Sequence, residues 1–358
     1  MTASCERLCA EGARLDPLRR LLPTSLAADL PTMGRTIRLE TNSPLILDRT
    51  QRLFARYAKQ GTGSSEFRWR IVCESSSGMR PPWPEALGFS DSGLRFVSFG
   101  QRNFLAIDLL AKEAIGYIAH ELLADEAGFV SPFLNTLFSL TAGALRLTPL
   151  AGACVTLGGQ ALVILGKPNS GKTTSSYLAA RLELEFYSDA SVFLDLEADG
   201  LRLWGDFSPA SFRPETIEFL PELRDDGQPF HYRDMTFLYV EKGTAISGNG
   251  YPVTPVACVF LERGTATSPR LTSIGHAACR EALQESLSFR DDQCFAARHA
   301  ATLYALARLP AYRLSYKSDP AVAATFFKNI LEVHRSTDPW RQRNEPRAPS
   351  RNSGVPWL

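Results

Sequence analysis

The stretch "ACVTLGGQALVILGKPNSGKTT", residues 153–174, decides the fold. "ACVTL" and "QALVILG" read as two strands, and Gly158–Gly159 between them supplies a hairpin turn. The second strand runs directly into Gly166, Lys167, Pro168, Asn169, Ser170, Gly171, Lys172 and Thr173, which fit G-x-x-x-x-G-K-[ST]. In that pattern backbone N–H groups turn inward onto phosphate oxygens, and glycine permits the close approach. A helix expected from about Gly171 brings its positive end to the same place. Lys172 is then expected to reach the β- and γ-phosphates of a nucleotide and Thr173 to offer its hydroxyl to Mg²⁺, with Thr174 joining the nucleotide-binding set. An apolar strand before the loop and a helix-like run after it, "TTSSYLAARLELE", complete the setting the pattern requires.

The helix leads to "FYSDASVFLDLEADG", residues 186–200, which carries two candidate carboxylates. A phosphotransferase needs a carboxylate to hold Mg²⁺ or to take the proton of the acceptor hydroxyl. Asp195 closes the apolar "VFLD" as the acid of a conventional nucleotide hydrolase would, but it stands beside a turn, where acids are commonly solvated. Asp189 opens the same strand, at the element end where ligands gather. That position favours Asp189 and leaves Asp195 as the alternative. The two readings differ in topology: the hydrolase predicts a parallel sheet around the loop strand, the kinase an antiparallel hairpin entering it. Arg213 in "FRPE" is a candidate clamp on phosphoryl oxygens, because a guanidinium can bind them bidentately.

From Gly152 to Leu196 the chain resembles the catalytic core of HPr kinase/phosphorylase, and more closely the HPr-kinase-related proteins that include serine kinases of ribosomally made peptide precursors. The hairpin, the loop "GKPNSGKTT" and the run to "YSDASVFL" carry the likeness, with Lys172 and Asp189 at the family's separation. "LWGDFSPASFRPETIEFLPEL" and "AYRLSYKSDPAVAATF" extend it over most of residues 150 to 333, and "IRLETNSPLIL" is similar to the start of the related proteins' accessory domain. The resemblance implies a phosphoenolpyruvate-carboxykinase-like P-loop kinase domain using ATP and Mg²⁺. Lys172 and the loop would hold the phosphates, Thr173 the metal, and Asp189 would be base or metal partner. Two positions depart from the family: Ala190 follows Asp189 where a second aspartate is common, and Ala151 stands where the family has a histidine. Asp195, Glu262 or water would have to supply the missing ligand.

The remainder of the chain frames this core. "TIRLET" alternates like a strand, "NSP" can start a helix capped by Asn42 or Ser43, and "FRWRIVCES" alternates again. "SPFLNTLFSLTAGALRL" reads as a helix capped by Ser131. The expected organisation is an α/β (α+β) chain. An N-terminal arm spans 1–34, an α+β accessory or recognition domain with antiparallel strands 35–148, the kinase-like domain 149–334, and a mobile basic tail 335–358. Residues 224–234, with His231, are expected to form a loop able to cover the site. Cys5 and Cys9 lie one helical turn apart without a second ligand pair.

The 358 residues are 44% hydrophobic with a formal net charge of +1, so no overall field draws the chain to nucleic acid or a membrane surface. No apolar run is long enough to cross a bilayer, and a cytoplasmic address is expected. The expected function is ATP-dependent phosphorylation of a serine-type hydroxyl on a peptide or protein, with homo-oligomerisation open. A small-metabolite kinase and a non-catalytic nucleotide-binding regulator are the alternatives.

Overall fold

The computed structural model describes residues 23–60, 63–74, 78, 80–100, 102–240, 250–264, 268–288, 293–317 and 319–336. It is a mixed α/β chain with several sheets, divided into two compact units. One comprises the described residues up to Leu145 together with Phe230–Thr236; the other runs from Arg146 to Pro229 and from Phe237 onward. The expected tail falls outside the described residues from 337 on, as do Cys5, Cys9 and the expected arm through residue 22.

The first unit is built on a seven-stranded sheet, ordered β1-β2-β3-β7-β6-β5-β4. Its strands are β1 (Leu26–Thr32), β2 (Arg35–Thr41), β3 (Phe67–Glu74), β4 (Leu87–Asp91), β5 (Leu94–Ser98), β6 (Phe104–Asp108) and β7 (Glu113–Ala119). The end of the expected arm is therefore a strand: β1 pairs with β2 from Leu26↔Thr41 to Thr32↔Arg35. Its burial alternates only at Leu30 and Thr32, too short a signal to stand out among prolines. The sheet is mixed rather than antiparallel, because β3 runs parallel to both β2 and β7. Helix α1 (Pro44–Phe54) makes the β2-to-β3 crossover, which parallel strands require. Ser43 caps it by accepting from the Ile46 N–H at 3.4 Å.

Ser131 is not a cap. The helical run that contains it starts at Glu126, where Asp125 Oδ1 accepts from the Gly128 N–H at 3.0 Å, and Pro132 lies in a wide π-type turn, Phe129–Leu134, that leads into α2 (Asn135–Thr141). A turn of that width tolerates the missing proline N–H. Phe54, Trp69 and Phe138 meet edge to face, with centroids 5.9 to 6.2 Å apart, and fasten α1 and α2 to β3.

The second unit centres on a six-stranded sheet, ordered β11-β9-β10-β17-β19-β18. The segments are β8 (Thr148–Ala151), β9 (Ala153–Leu157), β10 (Gln160–Gly166), β11 (Glu185–Ser188), β12 (Ser191–Glu197), β13 (Gly200–Gly205), β14 (Ala210–Phe212), β15 (Gln228–Tyr232), β16 (Met235–Val240), β17 (Thr254–Arg263), β18 (Arg270–Ser273) and β19 (Ala311–Tyr316). Strand β10 is antiparallel to β9 through the Gly158–Gly159 turn and parallel to β17 on its other side. Each topological reading of the loop strand therefore holds for one of its edges.

The unbroken apolar character of "ALVIL" follows from burial on both faces. Val155, Leu162, Ile164, Val259, Leu261 and Leu314 face α3 (Lys172–Ala179) and, further along the chain, the helix Pro320–Ser336. Cys154, Ala161, Val163, Leu165, Cys258 and Phe260 face a second sheet, β13-β12-β8, with α4 (His276–Ser286) and α5 (Ala296–Ala307) beside it. The long helix Pro320–Ser336 is α6.

Residues 224–234 are not an open loop. They form most of a helical turn and all of β15, whose hairpin tip with β16 counts with the first unit. There Arg233 N–H donates to the Trp83 carbonyl at 3.0 Å, and His231 Nδ1 lies 3.1 Å from Thr236 Oγ1.

Candidate phosphate-binding site

Gly166 ends β10 with φ of 145°, and Gly171 stands at the head of α3 with φ of 93°. Neither position has room for a side chain. A Cβ on Gly166 would fall 2.6 Å from the Leu261 carbonyl oxygen, and one on Gly171 would collide with the Tyr316 hydroxyl. Lys167, Pro168 and Asn169 are exposed at the tip, with Asn169 also left-handed at φ of 64°. Ser170 is buried, its Oγ without a hydrogen-bond partner among the described residues, while its N–H donates to the Lys167 carbonyl at 3.2 Å. Lys172, Thr173 and Thr174 lie half-buried in the first turn of α3.

Lys172 Nζ donates to two carbonyls of the loop itself, Gly166 O at 2.8 Å and Lys167 O at 3.0 Å. Its ammonium is thus folded over the cradle, and burial pulls its pKa below the ordinary lysine value. A cation held by carbonyls, an orphaned buried hydroxyl and a left-handed glycine heading a helix together fit a phosphate group.

The register brings Asp189 to the same edge. Strand β11 pairs with β9 at Ser188↔Cys154, and β9 pairs with β10 at Cys154↔Val163. One step on, the Gly152 N–H donates to the Ala190 carbonyl at 3.2 Å, and a Cβ on Gly152 would touch Ile164 O at 3.0 Å. Asp189 therefore sits level with the end of β10, two strands over, or about 10 Å sideways at ordinary strand spacing. It lies in the bend between β11 and β12 rather than inside the strand, and is 3% exposed. The Ser211 N–H of β14 donates to its Oδ2 at 3.3 Å.

Two residues beyond Ser211 comes Arg213, which precedes a short helical turn at its N-cap position and lays its guanidinium 4.9 Å over the Phe237 ring. Its backbone is thus two residues from the N–H that donates to Asp189. Ala151 pairs with Ser191, next to the bend.

Asp195 is taken elsewhere. It is buried in β12, opposite Arg202, and about 13 Å along the strand from Ser191. It is neither solvated, as its place beside a turn suggested, nor level with the loop. Glu262 is exposed and pairs with Arg313 at 3.0 Å. The acid that does accompany Asp189 is Asp206, fully buried, whose Oδ1 accepts from Ser188 Oγ at 3.0 Å. Its N–H in turn donates to Ser188 Oγ at 3.3 Å. In the sequence Asp206 is one acid in "WGDFSP", and only the closeness of β13's end to Tyr187 identifies it: a Cβ on Gly205 would lie 2.7 Å from Tyr187 O.

Tyr316 and Arg263 were also not marked by motif. Tyr316 ends β19 and donates its hydroxyl to the Ser170 carbonyl at 2.6 Å, tying the loop to the sheet. Burial raises its pKa, and the neighbouring Ser175 and the positive charge of Arg263 work against that rise.

No protein-family model matches the sequence, and no curated protein matches it. Among solved structures the chain is similar to the HPr(Ser) kinase/phosphatase from Coxiella burnetii, at 10% identity and a TM-score of 0.27. The alignment covers 52% of this chain and 98% of that one. A likeness at that score carries no conclusion about this chain. Among the described residues no helix is long and apolar enough to cross a membrane, and no group of three or more His, Cys, Asp or Glu is arranged to hold a metal.

Proposed function

We propose that the second unit is an ATP-dependent phosphotransferase that passes the γ-phosphate to a serine-type hydroxyl of a peptide or protein. The observation that carries this reading is the shared edge: the Lys172 loop and the Asp189 bend end level with one another through the β10-β9-β11 register. A phosphate cradle alone fits any nucleotide binder. A buried carboxylate on the same edge adds what proton removal from an acceptor requires.

In this reading the amides of residues 166–174 and the Lys172 ammonium bind the phosphate tail. Thr173 Oγ1 and Asp189 would hold Mg²⁺, with Asp206 behind them in the place of the family's second aspartate. Bound magnesium would neutralise charge on the β- and γ-oxygens. Asp189 takes the proton of the acceptor hydroxyl as its oxygen bonds to the γ-phosphorus. The bond from that phosphorus to the β–γ bridging oxygen breaks, and ADP leaves. The positive charge of Arg213 suits the oxygens of the group in transit. The acceptor class rests on the resemblance of the motifs, and the domain at 35–148, whose sequence shows no catalytic constellation, is assigned to recognition or support.

The test is transfer of label from γ-labelled ATP to peptide products of neighbouring genes, with mass spectrometry to locate the modified side chain. Asp189→Asn is expected to lower transfer at least about a hundredfold, the lower end for a lost general base, while ATP still binds. Transfer that survives Asp189→Asn refutes the assignment of the base. Phosphorylation of free amino acids but no peptide would favour a metabolite kinase.

A further inference from the structure

The phosphate cradle has a cation that the loop pattern does not contain. Strand β17 runs parallel to β10 with Gly166↔Leu261 in register, and parallel to β19 with Arg263↔Tyr316 in register. Registered neighbours project from the same face of a sheet. Tyr316 projects toward the loop, since its hydroxyl reaches the Ser170 carbonyl. Arg263 follows it: one guanidinium nitrogen lies 3.6 Å from where a Cβ on Gly171 would stand. Glu262, one residue earlier, projects from the opposite face and pairs with Arg313. Arg263 forms no ion pair among the described residues and is exposed at the sheet edge. Its backbone is held, because Gly264 N–H donates to the Tyr316 carbonyl at 2.9 Å.

An exposed arginine with no carboxylate partner among the described residues, in register with a tyrosine that grips the loop, is positioned for an anion at Gly171. We infer that Arg263 is a second cationic contact of the bound nucleotide. It reaches the phosphate held by the amides at Gly171 to Thr173, with Tyr316 as its positioning residue. This rests on the nucleotide reading above. Lys172 approaches that phosphate from within the loop and Arg263 from the neighbouring strand, so the two cations flank it. A guanidinium there can make the paired hydrogen bonds to phosphate oxygens that a lysine cannot. Tyr316 couples the two devices, since its hydroxyl restrains the loop carbonyl and its own carbonyl accepts from the Gly264 N–H beside the arginine.

The experiment is calorimetric titration of the full chain with ATP and with ADP, each with Mg²⁺, at two salt concentrations. Arg263→Gln is expected to weaken both nucleotides about tenfold to a hundredfold, the range for one lost charged hydrogen bond, and to flatten the salt dependence. Arg263→Lys should recover part of the affinity and all of the salt dependence, because the charge remains. Tyr316→Phe should weaken binding less than Arg263→Gln does. Thermal melting of Arg263→Gln without nucleotide should match wild type. Wild-type affinity in Arg263→Gln, with wild type itself binding ATP, overturns this inference and leaves the phosphotransferase reading standing. An equal loss in Arg263→Lys and Arg263→Gln, accompanied by lowered melting, would assign Arg263 a structural role and overturn it too. Failure of wild type to bind ATP at millimolar concentration ends both.

Discussion

Replacing Gly171 with alanine tests the cradle's geometry without any ligand. Two costs arise, and the structure separates them. The first is backbone strain: Gly171 holds φ of 93°, and a left-handed conformation costs an L-residue about 1–2 kcal/mol. The second is steric. The new methyl would collide with the Tyr316 hydroxyl, a group 2% exposed that donates to Ser170 O at 2.6 Å. Displacing it strands a buried carbonyl, which costs about 1–3 kcal/mol.

Gly159 is the matched control. It too is left-handed, at φ of 81°, but a Cβ there meets nothing within 4 Å. Gly159→Ala should therefore lose the strain alone, and Gly171→Ala a further amount of about 1–3 kcal/mol. For a unit of roughly 200 residues that difference corresponds to about 2–12 °C in melting temperature. Calorimetry on the four proteins of a cycle, adding Tyr316→Phe and Gly171→Ala/Tyr316→Phe, completes the assay. On the phenylalanine background the alanine should cost little more than at Gly159. Equal melting shifts for the two alanines, or an undiminished Gly171→Ala cost without the hydroxyl, would refute the proposed contact.

Two further outcomes follow from other parts of the molecule. Burial lowers the Lys172 pKa, so its positive charge is lost as pH rises, beginning below the usual lysine value of about 10.4. ATP affinity should fall over that alkaline window in wild type and hold in Lys172→Arg; equal profiles by titration from pH 7 to 10 would dismiss the lysine as the cause. In the first unit, Trp83 is 2% exposed and donates Nε1–H to Asp125 Oδ2 at 2.6 Å. Trp83→Phe should cost about 1.5–3 kcal/mol by denaturant titration, as a lost hydrogen bond to a charged group does, and a loss under about 0.5 kcal/mol would exclude that role.

Much of the site is legible because it is local. Lys172, which donates to Gly166 O and Lys167 O, and the Gly158–Gly159 hairpin work through neighbours a few residues away, so their spacing is their signal, and the glycines at 166 and 171 share that spacing although the groups that crowd them, Leu261 and Tyr316, are distant in sequence. The start of α1 is legible for the same reason, since Ser43 needs only the Ile46 N–H. Helical character in residues 120–141 was harder to bound, because Pro132 imitates a helix start while the chain is already turning. The parallel course of β2, β3 and β7 leaves no local mark, as strand direction depends on crossovers rather than on alternation.

The sequence by itself marked the loop: glycines at the pattern's two positions, a lysine at the helix head, and an aspartate a fixed distance downstream. Tertiary structure alone decided which other groups surround it. Asp195 lies closer in sequence to Asp189 than Asp206 does, yet the turn from β12 into β13 carries it away and returns Asp206 to Ser188. Arg263 and Tyr316 reach Gly171 only because β17 and β19 stack in register beside β10. Backbone hydrogen bonds between distant strands set that register, and no short stretch of sequence contains both partners of such a bond.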